Sequence, residues 1–160
     1  MTRIVLNVVF LGLMGLGLPG CLALDSPAVV IKSIEVIGVN KDAMSVALHG
    51  TVANDHGGEI RLLEFDYRLS ISGRSVYQGR HAAEMTLIPG ANREIMLPAS
   101  FPFTKLGWDS QSMPDTSNWS MSGSLLYLGG GVLAETLLDM GYRPTVGFSA
   151  SGELVLEPPN

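Results

Sequence analysis

Between residues 30 and 156 apolar positions recur mostly at every second residue, in short runs separated by turn residues. The clearest run is 63–71. Leu63, Phe65, Tyr67, Leu69 and Ile71 alternate there with Glu64, Asp66, Arg68 and Ser70, which describes a strand with one buried and one wet face. In 44–52, Met44, Val46, Leu48 and Val52 face one way, and Ser45, His49 and Thr51 the other. Residues 30–39, 76–83 (the weakest), 94–101, 119–128 and 146–156 read as further strands. In 94–101 Ile95, Leu97 and Phe101 point inward, and Pro98 and Pro102 place that strand at an edge or on a bulge. In 119–128 Trp119, Met121, Leu125 and Tyr127 share a face. The pattern predicts an all-β sandwich of seven strands without internal repeats.

The punctuation fits. Asn54-Asp55-His56-Gly57-Gly58, Ser72-Gly73 and Pro89-Gly90-Ala91-Asn92 are turn clusters, with glycine for positive φ and Asn/Asp for local backbone bonding. Residues 104–118 read as a polar loop, and Gly129-Gly130-Gly131 as a hinge. One stretch breaks the period of two: in 132–140 Leu133 stacks with Leu137 and Ala134 with Leu138, and Gly141 stands at a C′ position. This predicts a short helical insertion. Its Leu133, Leu137, Leu138 and Met140 would either cap the open end of the sandwich or stand out as an interaction patch. Trp108 in the polar loop is a further candidate for that surface, with a loop anchor as the plainer role.

The first 21 residues follow another logic. Arg3 is the only charge before Asp25, residues 4–18 are apolar apart from Asn7 and the glycines, and the run ends Leu18-Pro19-Gly20-Cys21 with the only cysteine of the chain. About 15 apolar residues are too few for a spanning helix, which needs roughly 20. A short basic start, an apolar core and a small-residue exit define an export signal. The layout is that of a bacterial lipoprotein signal: cleavage between Gly20 and Cys21, then diacylglycerol and an N-acyl chain on Cys21. Pro19 departs from the usual Ala, Ser or Thr, and ordinary secretion or an uncleaved anchor are the competing readings. The expected organisation is a signal peptide over 1–20, a tether over 21–29 and a sandwich domain over 30–157. The expected location is the outside of the cytoplasmic membrane or the periplasmic side of an outer membrane. Leu22 in place of an aspartate favours the latter.

Composition narrows the function classes. The formal net charge is −5, and removal of the signal takes away one more positive charge, Arg3. An acidic chain without a basic cluster argues against nucleic acid and against electrostatic docking on anionic lipid. With one cysteine there is no disulfide framework and no cysteine metal site, so packing alone must hold the domain, which is expected to be a monomer.

Chemistry-bearing residues are scattered. His49, His56 and His81 lack the spacing of two ligands on one element, so a zinc site with Asp55 and Asp66 is outweighed by surface histidines. Asp109, Ser110, Asp115 and Asn118 lack the alternation and central glycine of a calcium loop. Gly129–Gly131 has no Gly-Lys-Ser/Thr continuation, and Ser149 reads as a strand serine rather than a nucleophile. No metal and no cofactor beyond the lipid on Cys21 is expected, and no enzymatic activity.

Several segments together resemble the late embryogenesis abundant group-2 family, or WHy (water stress and hypersensitive response) domain. They are Ile34-Glu35-Val36; Val46-Ala47-Leu48-His49-Gly50-Thr51-Val52-Ala53-Asn54; the tyrosine-containing strand 63–71 with Ser72-Gly73; Val76-Tyr77-Gln78-Gly79; and Ile95-Met96-Leu97-Pro98. Ser122-Gly123-Ser124-Leu125 and residues 146–154 match its last two strands. The Asn-Pro-type turn of plant members is replaced by 54–58, and the 129–143 insertion is longer than the family pattern. The resemblance implies a seven-stranded, immunoglobulin/fibronectin-III-like sandwich, a link to desiccation and stress, and no catalytic residue. The expected function is that of a lipid-anchored, non-catalytic envelope protein of this type acting by surface contacts. The alternative is an accessory binding subunit of an envelope, secretion or adhesion complex.

Overall fold

The computed structural model describes residues 26–108, 113–130 and 132–156. Seven strands and one short helix follow each other as β1 (Ala28–Val39), β2 (Ala43–Ala53), β3 (Ile60–Ile71), β4 (Arg74–Leu87), β5 (Asn92–Pro102), β6 (Thr116–Gly129), α1 (Val132–Asp139) and β7 (Thr145–Val155), with a 3₁₀ turn at Phe103–Lys105. They form two antiparallel sheets, β1-β2-β5 and β4-β3-β6-β7. The all-β sandwich and its helical insertion are as the periodicity predicts.

The two inner faces interdigitate. Met44, Val46, Leu48 and Val52 of β2 and Leu97, Ala99 and Phe101 of β5 face Phe65, Tyr67, Leu69, Ile71, Trp119, Met121, Leu125 and Phe148, all buried. One row across the larger sheet alternates small and large: Gly79, Tyr67, Gly123 and Phe148 are consecutive partners. A Cβ at Gly123 would lie 2.5 Å from the Asp66 carbonyl oxygen and 2.7 Å from the Phe148 ring. The glycine there is what lets the two aromatics close over the strand, and the Phe65 and Phe148 rings meet edge to face at 6.0 Å.

Two readings of the sequence need correction. Leu63 is not on the buried face with Phe65. A bulge between Leu62 and Glu64 shifts the alternation by one, so Ile60 and Leu62 enter the core and Leu63 is left half-buried. A bulge reverses which face every residue beyond it occupies, and neighbouring leucines hide that step. The loop after β5 is also less polar than it reads. Phe103 and Leu106 are buried, and Trp108 packs half-buried against the core.

The flanks of the sandwich differ. β1 and β7 pack along one side. On the other, β4 and β5 leave a shallow opening of about 140 Å³ between residues such as His81, Met85 and Met96, with Leu62 and Phe65 beneath. In antiparallel pairing the N–H and C=O of one residue point the same way. Asn54 N donates to Ala91 O, and Phe103 N donates to Asp42 O, so the odd-numbered residues of β5 face β2. Pro98 and Pro102 therefore fall at positions facing outward from the sheet edge, where a missing N–H breaks no ladder bond. The Tyr67 hydroxyl crosses the core and donates to the outward Pro98 carbonyl. On β4, Glu84 has φ 41° within a bulge opposite Leu62/Glu64.

Candidate functional site

The strand registers define two poles. Ala28, Ala53, Asn92, Ile60, Leu87, Gly129 and Thr145 come together at the pole where the chain enters β1. This N-terminal pole is organised by Asn54, which is fully buried. Its side-chain amide donates to Gly58 O (2.7 Å) and Leu87 O (3.0 Å), and its Oδ1 accepts from His56 N (3.1 Å). Its backbone N donates to Ala91 O, and its backbone O accepts from Gly90 N. One neutral residue thus ties the 54–58 turn to the end of β4 through its side chain and to the 88–91 turn through its backbone. His56 Nε2 lies 3.0 Å from Ser26 O, which fixes the start of the described chain against the same turn.

The insertion rises from this pole. α1 ends in a Schellman motif: Gly141, with φ 90°, donates to Leu138 O, and Tyr142 N donates to Leu137 O. Arg143 Nη1 adds bonds to Leu138 O (2.6 Å) and Tyr142 O (3.2 Å). These bonds satisfy carbonyls that a helix end leaves without partners and fix the direction in which residues 140–142 leave the helix. On the sheet side, α1 packs on β6, and Arg61 and Glu135 approach to 3.9 Å. Leu137 and Leu138 are half-buried but outside the core cluster, and Met140 is 78% exposed and Tyr142 42%. The predicted interaction surface is therefore divided. Leu137, Leu138 and Met140 lie at the N-terminal pole. Trp108 follows the 3₁₀ turn at the distal pole, where its backbone N donates to Phe103 O. The side chain of Leu133, together with Gly20 and Cys21, lies outside the described residues.

The outer face of the larger sheet is polar. Ser70, Ser120 and Ser151 are paired across it, as are Arg68, Ser122 and Ser149. Asp66, Arg68, Gln78, Ser122 and Ser124 border a shallow groove, in which Arg68 donates to Gln78 Oε1 at 3.0 Å. Ser149 is an exposed strand serine, as the sequence suggests. The histidines sit apart. His49, on the outer face of the smaller sheet, is 3.2 Å from Glu35 Oε2 but outside hydrogen-bond geometry. His56 is in the Asn54 turn, and His81 lines the open flank. Among the described residues no three His, Cys, Asp or Glu side chains gather around one point. Asp109 and Ser110 fall outside the described residues.

Among the described residues, the one strongly perturbed titratable group is internal. Burial, reinforced by a hydrogen bond and electrostatic coupling with Tyr77, pushes the Tyr67 hydroxyl well above its ordinary ionisation range. The two rings stack at 5.4 Å. Sequence reasoning missed Asn54 as a hub: an asparagine within Asn-Asp-His-Gly-Gly looks like solvent-facing turn chemistry, and only its position against Leu87 shows it is buried.

No known family model matches the chain, and no curated protein does. Solved structures share its fold. The solution structure of a provisionally assigned late embryogenesis abundant (LEA) protein is 15% identical, with a TM-score of 0.61, covering 84% of this chain and 74% of that one. An Arabidopsis thaliana protein is 16% identical, with a TM-score of 0.58 over 79% of each chain. A crystal structure from Archaeoglobus fulgidus is 11% identical, with a TM-score of 0.52, covering 80% of this chain and 98% of that one. These likenesses concern the fold alone, which this chain shares with the provisionally assigned LEA protein and the archaeal protein.

Proposed function

We propose that this protein is a non-catalytic, lipid-anchored envelope domain of the LEA group-2 type, acting by surface contact under water stress. The observation that carries the reading is the apolar run ending at Cys21, placed ahead of a sandwich of LEA-like fold. Diacylation with N-acylation places enough hydrocarbon on one residue for stable anchoring, at about 0.8 kcal/mol per buried CH₂. The domain then has to supply only a surface. It offers a polar, serine-bearing face on β3, β6 and β7. Hydroxyls both donate and accept, so this face can exchange bonds with water for bonds with neighbouring polar surfaces as water is withdrawn.

The deciding experiment is metabolic labelling with a clickable palmitate analogue. The wild-type chain is expected to label and partition with membranes, and Cys21→Ser to lose both. Equal labelling of the two overturns the anchor.

A further inference from the structure

We propose that the N-terminal pole is a membrane-docking surface, on which the α1 insertion sets Met140 and Tyr142 into the lipid interface beside the anchored Cys21. The inference rests on the lipid-anchor reading and adds an orientation and a contact to it.

Ser26 is fixed at this pole by the His56 ring, and five residue steps separate it from Cys21. Fully extended, they span about 17 Å. An acylated Cys21 therefore holds this pole close to the headgroups. The distal pole stands farther off by a strand length, about 35 Å for β3 or β5.

Met140 is the most exposed large apolar side chain among the described residues, at 78%, and Tyr142 and Ile88 (62%) are exposed at the same pole. An apolar side chain held in water at the end of an insertion gains by transfer to hydrocarbon. A tyrosine, apolar in body and polar at its tip, suits the headgroup level. The Schellman turn and the Arg143 bonds already hold residues 140–142 in place, so docking orders little that is not ordered beforehand.

Charge settles the class of lipid contact. α1 carries Glu135 and Asp139, and the chain is acidic overall. Attraction to anionic headgroups is therefore not the drive. Insertion is apolar, proceeds on zwitterionic lipid and is insensitive to salt.

The test uses the full, processed chain in phosphatidylcholine vesicles. Acylation consumes the Cys21 sulfur, so a single introduced cysteine is the only free thiol. Met140→Cys, Tyr142→Cys and Lys41→Cys, the last in the exposed distal turn, are each labelled with an environment-sensitive dye. The expected result is blue-shifted emission and loss of fluorescence to nitroxide-bearing lipid at 140 and 142, neither at 41, and no change on raising the salt. Vesicle flotation with water-like emission at both 140 and 142, or with equal quenching at 41, overturns the docking and leaves the anchor standing. Failure to float, with no acyl mass on Cys21, overturns the anchor and the docking with it.

Discussion

The two poles of the sandwich are closed by different means. At the N-terminal pole a single buried asparagine joins three segments through both ends of its amide and its own backbone. At the distal pole the work is divided. Arg74 Nη1 donates to Leu106 O (2.8 Å), Lys105 Nζ donates to Val76 O (2.8 Å), Ser72 and Ser117 share a 2.7 Å hydroxyl bond, and Asn40 Oδ1 accepts from Asp42 N and Ala43 N. A neutral, fully desolvated hub is strong because every group is satisfied and fragile because all its bonds end on one residue. The distal bonds are part-buried and spread over several side chains, so the loss of one leaves the rest. The difference also frees the N-terminal pole: its interior is held from within by Asn54, so the insertion above it is available for another task.

The sharpest way to break this comparison is Asn54→Asp. It turns the donor that faces Gly58 O and Leu87 O into a third acceptor with a buried charge. A loss of at least about 3 kcal/mol is expected from urea unfolding, and a loss no larger than that of a distal single mutant would refute the hub. Next, Arg74→Ala and Lys105→Ala should cost about 1 kcal/mol each and about 2 together. A strongly non-additive pair would mean the distal pole also hangs on one linked network. Tyr67→Phe, midway between the poles, removes the bond to Pro98 O and should cost about 1 kcal/mol at neutral pH.

The same residue makes a pH prediction. Its folded ionisation lies above its unfolded one, so above about pH 10 the unfolded chain releases a proton that the native chain keeps. Native stability is then complete below that pH and falls as pH rises through it. Tyr67→Phe should flatten this alkaline slope in pH-dependent unfolding, and an unchanged slope would assign it elsewhere. The smallest effect belongs to Met140→Ser, under about 0.5 kcal/mol. A larger destabilisation would show that the insertion is part of the core after all.

Much of this architecture is legible in the chain because antiparallel strands with one wet face write their orientation in alternation. β3, β6 and the outward prolines of β5 follow from Phe65–Ile71, Trp119–Tyr127 and Pro98/Pro102 alone. The helix of the insertion follows from the spacing of Leu133, Leu137 and Leu138. What the alternation hides is where it slips. Leu62 and Leu63 are both apolar, so the bulge between Leu62 and Glu64 leaves no compositional mark. The candidate surface was half legible. Apolar residues at helical spacing mark a face without saying what covers it, and only the packing shows that Met140 stays exposed while Trp108 turns back to the core. Asn54 illustrates the same limit for polar groups, because the Leu87 carbonyl that buries it lies 33 residues away.

The outward prolines of β5 and the Glu84 bulge of β4 bear on how these molecules behave when crowded. Drying concentrates proteins on a surface, and bare strand edges then invite sheets of neighbouring molecules to join into fibrils. β5 offers its edge with two N–H groups missing, at Pro98 and Pro102, and with the Pro98 carbonyl already bound by Tyr67. β4 offers an edge twisted out of register at Glu84. An incoming strand finds no continuous ladder on this flank. Edge-to-edge pairing through this flank is therefore disfavoured however closely such molecules are crowded.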